Sequence, residues 1–205
     1  MPETHFITDV ETLRDVLGEP HPLVRKKIID RLDEVGAGFV EAAPFVLLAT
    51  ADSQGQADVS PRGDEPGMVW MKDDRTLYLP ERPGNKLAMS LQNILENPAV
   101  GLMFMIPGVD ECYRVLGQAR ITRDPDVLRR LEARGKPALL AIEVRIDRCF
   151  LHCGKSIKRS RLWKDDARRK FNFRFGTTVA RKAGGGAEME KMVNEIVEDD
   201  YRNNL

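Results

Sequence analysis

The sequence predicts a mainly β protein with helices, of the α+β class: a small antiparallel barrel or sandwich flanked by N-terminal and C-terminal helices. Three observations carry this. Seven short strand-like segments between residues 45 and 146 are separated by brief turn signals, the pattern of a small barrel or sandwich. The first forty residues instead repeat apolar positions at helical spacing. A last stretch, carrying Met189, Met192, Val193 and Ile196, does the same behind the glycines of 183–187.

The elements follow in chain order. Thr8 and Glu11 form a capping box that opens a short helix with Val10, Leu13 and Leu17 on one side. A second helix is predicted after His21-Pro22, with Val24, Ile28, Leu32 and Val35 on one face, ended by Gly36 and Gly38. Phe45–Ala51 and Gln56–Ser60 flank the turn Asp52-Ser53-Gln54-Gly55 and predict a hairpin. Gly67–Lys72 and Thr76–Pro80 form a second pair. Ala99–Ile106, Tyr113–Arg123 and Ala138–Ile146 supply three more strands. A helix over Lys86–Leu95 stops at Asn97-Pro98. Another starts at Asp124-Pro125, an N-cap followed by Pro at the first helical position. These elements divide the chain into an N-terminal helical extension (1–44), a barrel (45–165) and a C-terminal basic arm with an acidic helix (166–205).

Composition narrows the function classes. With 42% hydrophobic and 31% charged residues, the 205-residue chain has a globular balance. Its longest apolar run, Val100 to Ile106, is too short for a bilayer span. The start of the chain lacks a basic region followed by an apolar stretch, so no secretory signal is read. Three cysteines cannot form a disulfide framework, and with eight methionines they predict a reducing, cytoplasmic setting. Cys149, His152 and Cys153 stand close in sequence, but a structural zinc site usually needs four ligands, so no metal is assigned. The formal net charge is zero, which argues against general nucleic-acid avidity. That balance hides a basic stretch, Lys155 to Lys182, with eleven Lys/Arg and two Asp, and an acidic one, Glu188 to Asp200, with six acids and one Lys.

Three places could carry chemistry. Ser60-Pro61-Arg62-Gly63-Asp64 breaks from a strand at Pro61 and presents a guanidinium, whose planar fork suits phosphate or carboxylate. Arg62 and Asp64 read equally as surface turn residues. Gly84-Asn85-Lys86 sits just before the predicted helix, with Asn85 as N-cap. Free N–H groups, the Lys86 charge and an open backbone at Gly84 would make a phosphate cradle there; plain capping accounts for the same residues. Trp163, among the cations from Lys155 onward, could stack on a planar ring or a base, or be pinned against its own domain. Ser160 and Cys153 have no neighbouring base relay, and the chain holds no Walker A loop, GxGxxG fingerprint or HExxH pair.

Taken together, FVLLATADSQGQADVSPRGD, TLYLPERPGNKLAMSLQNILENPAVGLMFMIPG, YRVLGQARITRD and HCGKSIKRSRLW resemble the pyridoxamine 5′-phosphate oxidase-like flavoproteins, from about Phe45 to Trp163. The combination is specific, although no single piece is. The resemblance implies a split β-barrel homodimer with FMN at the subunit interface, acting as an oxidoreductase. It places Ser60, Arg62, Gly63 and Asp64 along the ribityl chain and ring edge, and Asn85 and Lys86 at the phosphate. Gln118 would lie on a strand facing the flavin. Lys155, Arg159 and Trp163 would complete the site from the partner subunit, with Lys155 or Arg159 favouring the anionic reduced flavin. True pyridoxamine phosphate oxidases resemble one another in a C-terminal Trp/Arg segment with an Arg-Leu-His-rich motif. This chain ends instead in Arg174-Phe-Gly-Thr-Thr and an acidic helix, so vitamin B6 is not the expected substrate. Two alternatives stand beside this reading: a split barrel holding a deazaflavin or haem, and a non-enzymatic nucleic-acid-binding module using residues 155–182.

Overall fold

Alternation of apolar side chains sets the framework. In β1 (Phe45–Ala51) and β5 (Ala99–Met105) every second residue points inward. The computed structural model describes residues 5–167, 171 and 173–204. Among them β1 and β5 join β2 (Ala57–Gly63), β3 (Trp70–Asp73), β4 (Thr76–Glu81), β6 (Cys112–Thr122) and β7 (Leu140–His152) in one sheet, ordered β2-β1-β5-β6-β7-β4-β3. Every pairing is antiparallel. The sheet curls but does not close, which makes it a split β-barrel. Its concave side buries Val46, Leu48, Leu77, Phe104, Val115, Ile142 and Val144 completely. Full burial of such side chains contributes ~1.5–3 kcal/mol each.

The curl has a visible cause. β6 and β7 form the longest ladder, and their register slips between Leu116 and Gly117, leaving Asp147 as the extra residue of a bulge. A Cβ on Gly117 would stand 2.0 Å from the Arg145 carbonyl oxygen. A second small core covers the far face of β4 and β7. There α5 (Pro125–Arg130) lays Val127 beside Leu131, Ala138, Tyr78 and Ala141. Trp70 stacks on Tyr78 at 5.0 Å and takes the Arg130 guanidinium over its ring at 4.9 Å.

Several predicted elements are corrected. The first helix, α1 (Val10–Leu17), is capped by Asp9, whose carboxylate accepts from the Thr12 N–H, and not by Thr8. The single helix expected after His21 is two. α2 (Pro22–Lys26) stops early because Ile29 pairs with Cys149 of β7, exchanging N–H···O bonds of 3.0 and 2.7 Å. α3 (Glu34–Ala42) then starts at the Asp33 cap and runs through both glycines that were expected to end a helix. Gly36 is required there, since its Cβ would lie 2.2 Å from the Tyr113 hydroxyl. β2 does not break at Pro61 but continues to Gly63, which an edge strand tolerates. β7 continues six residues past the predicted end, to His152, because β6 offers it a partner that far. α6 (Lys155–Ser160) is an unpredicted helix. α7 (Phe175–Lys182) and α8 (Ala187–Asn204) form a hairpin, packed through Gly176 against Asn194. Arg168, Arg169 and Lys170 of the basic stretch lie outside the described residues. Among those described, no helix is long and apolar enough to cross a membrane.

Candidate functional site

The edge strand β2 faces the end of β4 and the segment after it across a cleft of about 590 Å³. One wall is β2, from Asp58 to Gly63. The other runs from Leu79 at the end of β4 to Leu91 in α4 (Met89–Glu96). Two contacts seat α4: Asn93 donates to the Thr50 hydroxyl at 3.0 Å, and Glu96 accepts from Ser53. The loop 82–88 that leads into α4 lines the cleft.

Arg62 is the centre of the site. Its Nη1 donates to Ser60 Oγ at 2.6 Å and to the Pro61 carbonyl at 3.1 Å, and its Nη2 reaches Ser90 Oγ at 3.4 Å. Across the gap, Nη2 lies 3.1 Å from Oε2 of Glu81, and both side chains are about four-fifths buried. That ion pair lacks hydrogen-bond alignment. Among the described residues, Glu81 Oε2 has no aligned donor and Arg62 Nε has no acceptor. Burial pushes the Glu81 carboxyl above its ordinary value, and the Arg62 charge opposes that shift.

Beside this pair, the Asp64 carboxylate accepts from Arg82 Nε at 3.0 Å. It therefore turns along the rim and does not line the cleft. Gly63 lines the rim, but a Cβ there would meet only ordinary contacts at 3.5 Å, so glycine is not a steric requirement. The predicted helix-terminus cradle is corrected. α4 begins at Met89, with Ala88 at its N-cap position, three residues later than predicted. Asn85 is not its cap; its Oδ1 accepts from the Leu87 N–H at 3.0 Å and forms a local turn. Lys86 and Ala88 both adopt left-handed backbone, at φ 61° and 54°. Strain of this kind costs of order 1–3 kcal/mol per residue and clusters where ligands are held. Lys86 is exposed and has no ion-pair partner among the described residues.

The structure thus gathers Ser60, Arg62, Gly63, Asn85 and Lys86 around one cleft, with Asp64 at its edge. It leaves the other predicted residues elsewhere in the same chain. Gln118 sits exposed on β6 opposite Ala99 and donates to Asp147 at 3.3 Å. Lys155 and Arg159 are exposed on α6. Trp163 donates its indole N–H to the Val109 carbonyl at 2.8 Å, which pins it against its own domain. Glu81, Arg82 and Ser90 line the cleft and were missed from the sequence. Ser90 is 3% exposed on a helix; in sequence it shows only as one polar residue between Met89 and Leu91.

Among the described residues, no three His, Cys, Asp or Glu gather at metal-binding distance. Cys149 is buried, accepts from the Tyr113 hydroxyl at 3.3 Å and turns its thiol to the Arg31 carbonyl at 3.2 Å. This polar knot ties the segment before α3 to β7.

The sequence profile described as Pyridoxamine 5′-phosphate oxidase matches residues 32–153, which take in all seven strands and the cleft. No curated protein matches the chain. Several solved structures are similar to it. HupZ of Group A Streptococcus is 18% identical at a TM-score of 0.48, over 58% of this chain and 93% of that one. General Stress Protein 26 of Bacillus anthracis is 14% identical at 0.45, over 57% and 89%. HutZ, the heme storage protein of Vibrio cholerae, is 15% identical at 0.42, over 60% and 95%.

Proposed function

The chain belongs to the pyridoxamine 5′-phosphate oxidase family, and we propose that it binds FMN in the Arg62 cleft and acts as an oxidoreductase on a substrate other than pyridoxamine phosphate. The observation that carries this reading is the buried guanidinium with an unused Nε, facing a strained loop that carries an uncommitted lysine. Both groups suit a phosphate: Arg62 as a fork, Lys86 as a mobile point charge. Ser60 and Ser90 hold the fork in place through their hydroxyls. The cleft falls within the ~300–1,000 Å³ range of small-molecule sites. When bound, the flavin supplies the electron chemistry. The protein binds the phosphate, orients the ring and limits water.

Binding of FMN to the purified protein should exceed that of riboflavin, which lacks the phosphate. Lys86→Ala should lower FMN affinity about tenfold, the loss of one charge-assisted contact, and leave riboflavin affinity nearly unchanged. Equal losses for both ligands in a calorimetric titration would remove the phosphate from this loop.

The assembly we infer is a homodimer. The outer face of the sheet sets Phe45, Leu47 and Ala49 of β1 directly opposite Met105, Met103 and Gly101 of β5. Pro61 and Val59 of β2 flank it on the other side, with Val59 59% exposed. A continuous apolar face of this kind marks an interface. Sedimentation should give about twice the 23.2 kDa chain mass, and a 23.2 kDa species that retains FMN would contradict the dimer.

In such a dimer, Gln118, Lys155, Arg159 and Trp163 would reach the partner's cleft, since they do not line their own. Trp163→Ala should then weaken FMN binding about fivefold, the worth of one ring contact of ~1 kcal/mol. Unchanged FMN affinity together with loss of tight, salt-sensitive DNA binding would instead assign the basic arm to nucleic acid.

A further inference from the structure

We propose that Glu81 is the charge-selecting residue of the cleft: its carboxylate occupies the place of an anion on Arg62, and a phosphate-bearing ligand binds by displacing it. On displacement the carboxylate takes one proton from solvent and becomes a neutral acid; no other bond changes. This inference rests on the phosphate reading of the cleft and names what that site selects.

The geometry is that of a placeholder. Arg62 comes from the edge strand β2 and Glu81 from β4, the last strand but one at the other side of the open sheet, and they meet at 3.1 Å. A guanidinium and a carboxylate can form two parallel hydrogen bonds. Here neither Glu81 Oε2 nor Arg62 Nε makes an aligned one, although both atoms are buried. The two side chains therefore share a single charge contact and not a two-bond fork, and Arg62 Nε is left without an acceptor. A phosphate group has enough acceptor oxygens to use Arg62 Nε and Nη, the Ser60 and Ser90 hydroxyls, and Lys86.

The surrounding charges point the same way. The titratable residues lining the cleft are Asp58 and Arg62 on β2, Glu81 on β4, and Arg82 and Lys86 on the loop. Arg82 is committed to Asp64. From the start of β7 and the residue before it, Leu140 and Leu139 line the cleft without charge, and from α4 the polar lining residue is Ser90. With Glu81 ionised, Arg62 and Lys86 are balanced by Asp58 and Glu81, and the cleft has no net attraction for an anion. With Glu81 neutral, one positive charge is uncovered. Burial already holds the carboxyl above its ordinary value. Losing the Arg62 contact removes the charge that opposes this shift, so displacement favours the neutral acid. A simple carboxylate ligand replaces like with like and gains little, whereas a phosphate monoester, near a double negative charge at neutral pH, gains from both cations.

The test titrates FMN, riboflavin and inorganic phosphate into the full-length wild-type protein and Glu81→Gln by calorimetry, in two buffers of different ionisation enthalpy. Glu81→Gln should bind FMN and inorganic phosphate about tenfold tighter than wild type, with a smaller change for riboflavin, which lacks the phosphate. Wild type should take up more protons per FMN than the variant. Equal or weaker phosphate binding by the variant, or equal proton counts, would overturn the proposal. If neither protein binds FMN while the variant still binds inorganic phosphate more tightly, the flavin reading fails and the role of Glu81 stands. Glu81→Ala repeats the comparison where Glu81→Gln does not fold.

Discussion

Gly117→Ala is expected to destabilise the protein by about 3 kcal/mol or more, the upper range for forcing extra volume into a packed site. The added Cβ would lie 2.0 Å from the Arg145 carbonyl oxygen, 2.9 Å from its carbon and 3.3 Å from Ile146 Cα. All three are backbone atoms, so no side chain can rotate away. Relief requires β6 and β7 to separate at the bulge that bends the sheet, and this is the longest ladder in the fold. For a chain of this size the melting temperature should fall by roughly 6–12 °C. Gly38→Ala is the control. Nothing lies within 4 Å of its Cβ and the residue is helical, so alanine should stabilise by up to ~1 kcal/mol. A Gly117→Ala protein that melts with wild type would mean that the bulge is not built as described.

Arg62→Ala is expected to weaken FMN binding by about a hundredfold, the upper end for one charge-assisted contact. The fork is lost from the phosphate, and with it one of the two cations of the cleft that are not committed to Asp64. Arg62→Ala/Glu81→Gln should add little to this loss, because losing the Arg62 contact already favours neutral Glu81 and contacting residues do not behave additively. Affinity measured by quenching of flavin fluorescence checks both. A loss below threefold for Arg62→Ala would move the phosphate away from β2.

The strands were legible because their burial follows the pleat. Val46, Leu48, Val100, Leu102 and Phe104 alternate with half-exposed neighbours, and sequence period reports that directly. The helix after His21 was misread because its apolar spacing is real but its burial is not: Val24, Ile28 and Val35 are 49%, 44% and 62% exposed. The backbone at Ile29 is taken by Cys149, more than a hundred residues away, and no local signal encodes that. The cleft divides in the same way. Arg62 and Lys86 stand out as cations at strand exits, and the fold brings both to one cavity. Glu81 and Ser90 matter only because the fold brings β4 and α4 against the edge strand β2, and the left-handed turns at Lys86 and Ala88, which delay α4, were not encoded by glycine.

The central claim, a flavin phosphate held by Arg62 and Lys86, is tested most directly by the visible spectrum of the purified protein, followed by chromatography of what denaturation releases. The account predicts bands near those of free flavin and release of FMN. A colourless protein that takes up no added FMN, or one that releases haem or a deazaflavin instead, would contradict it.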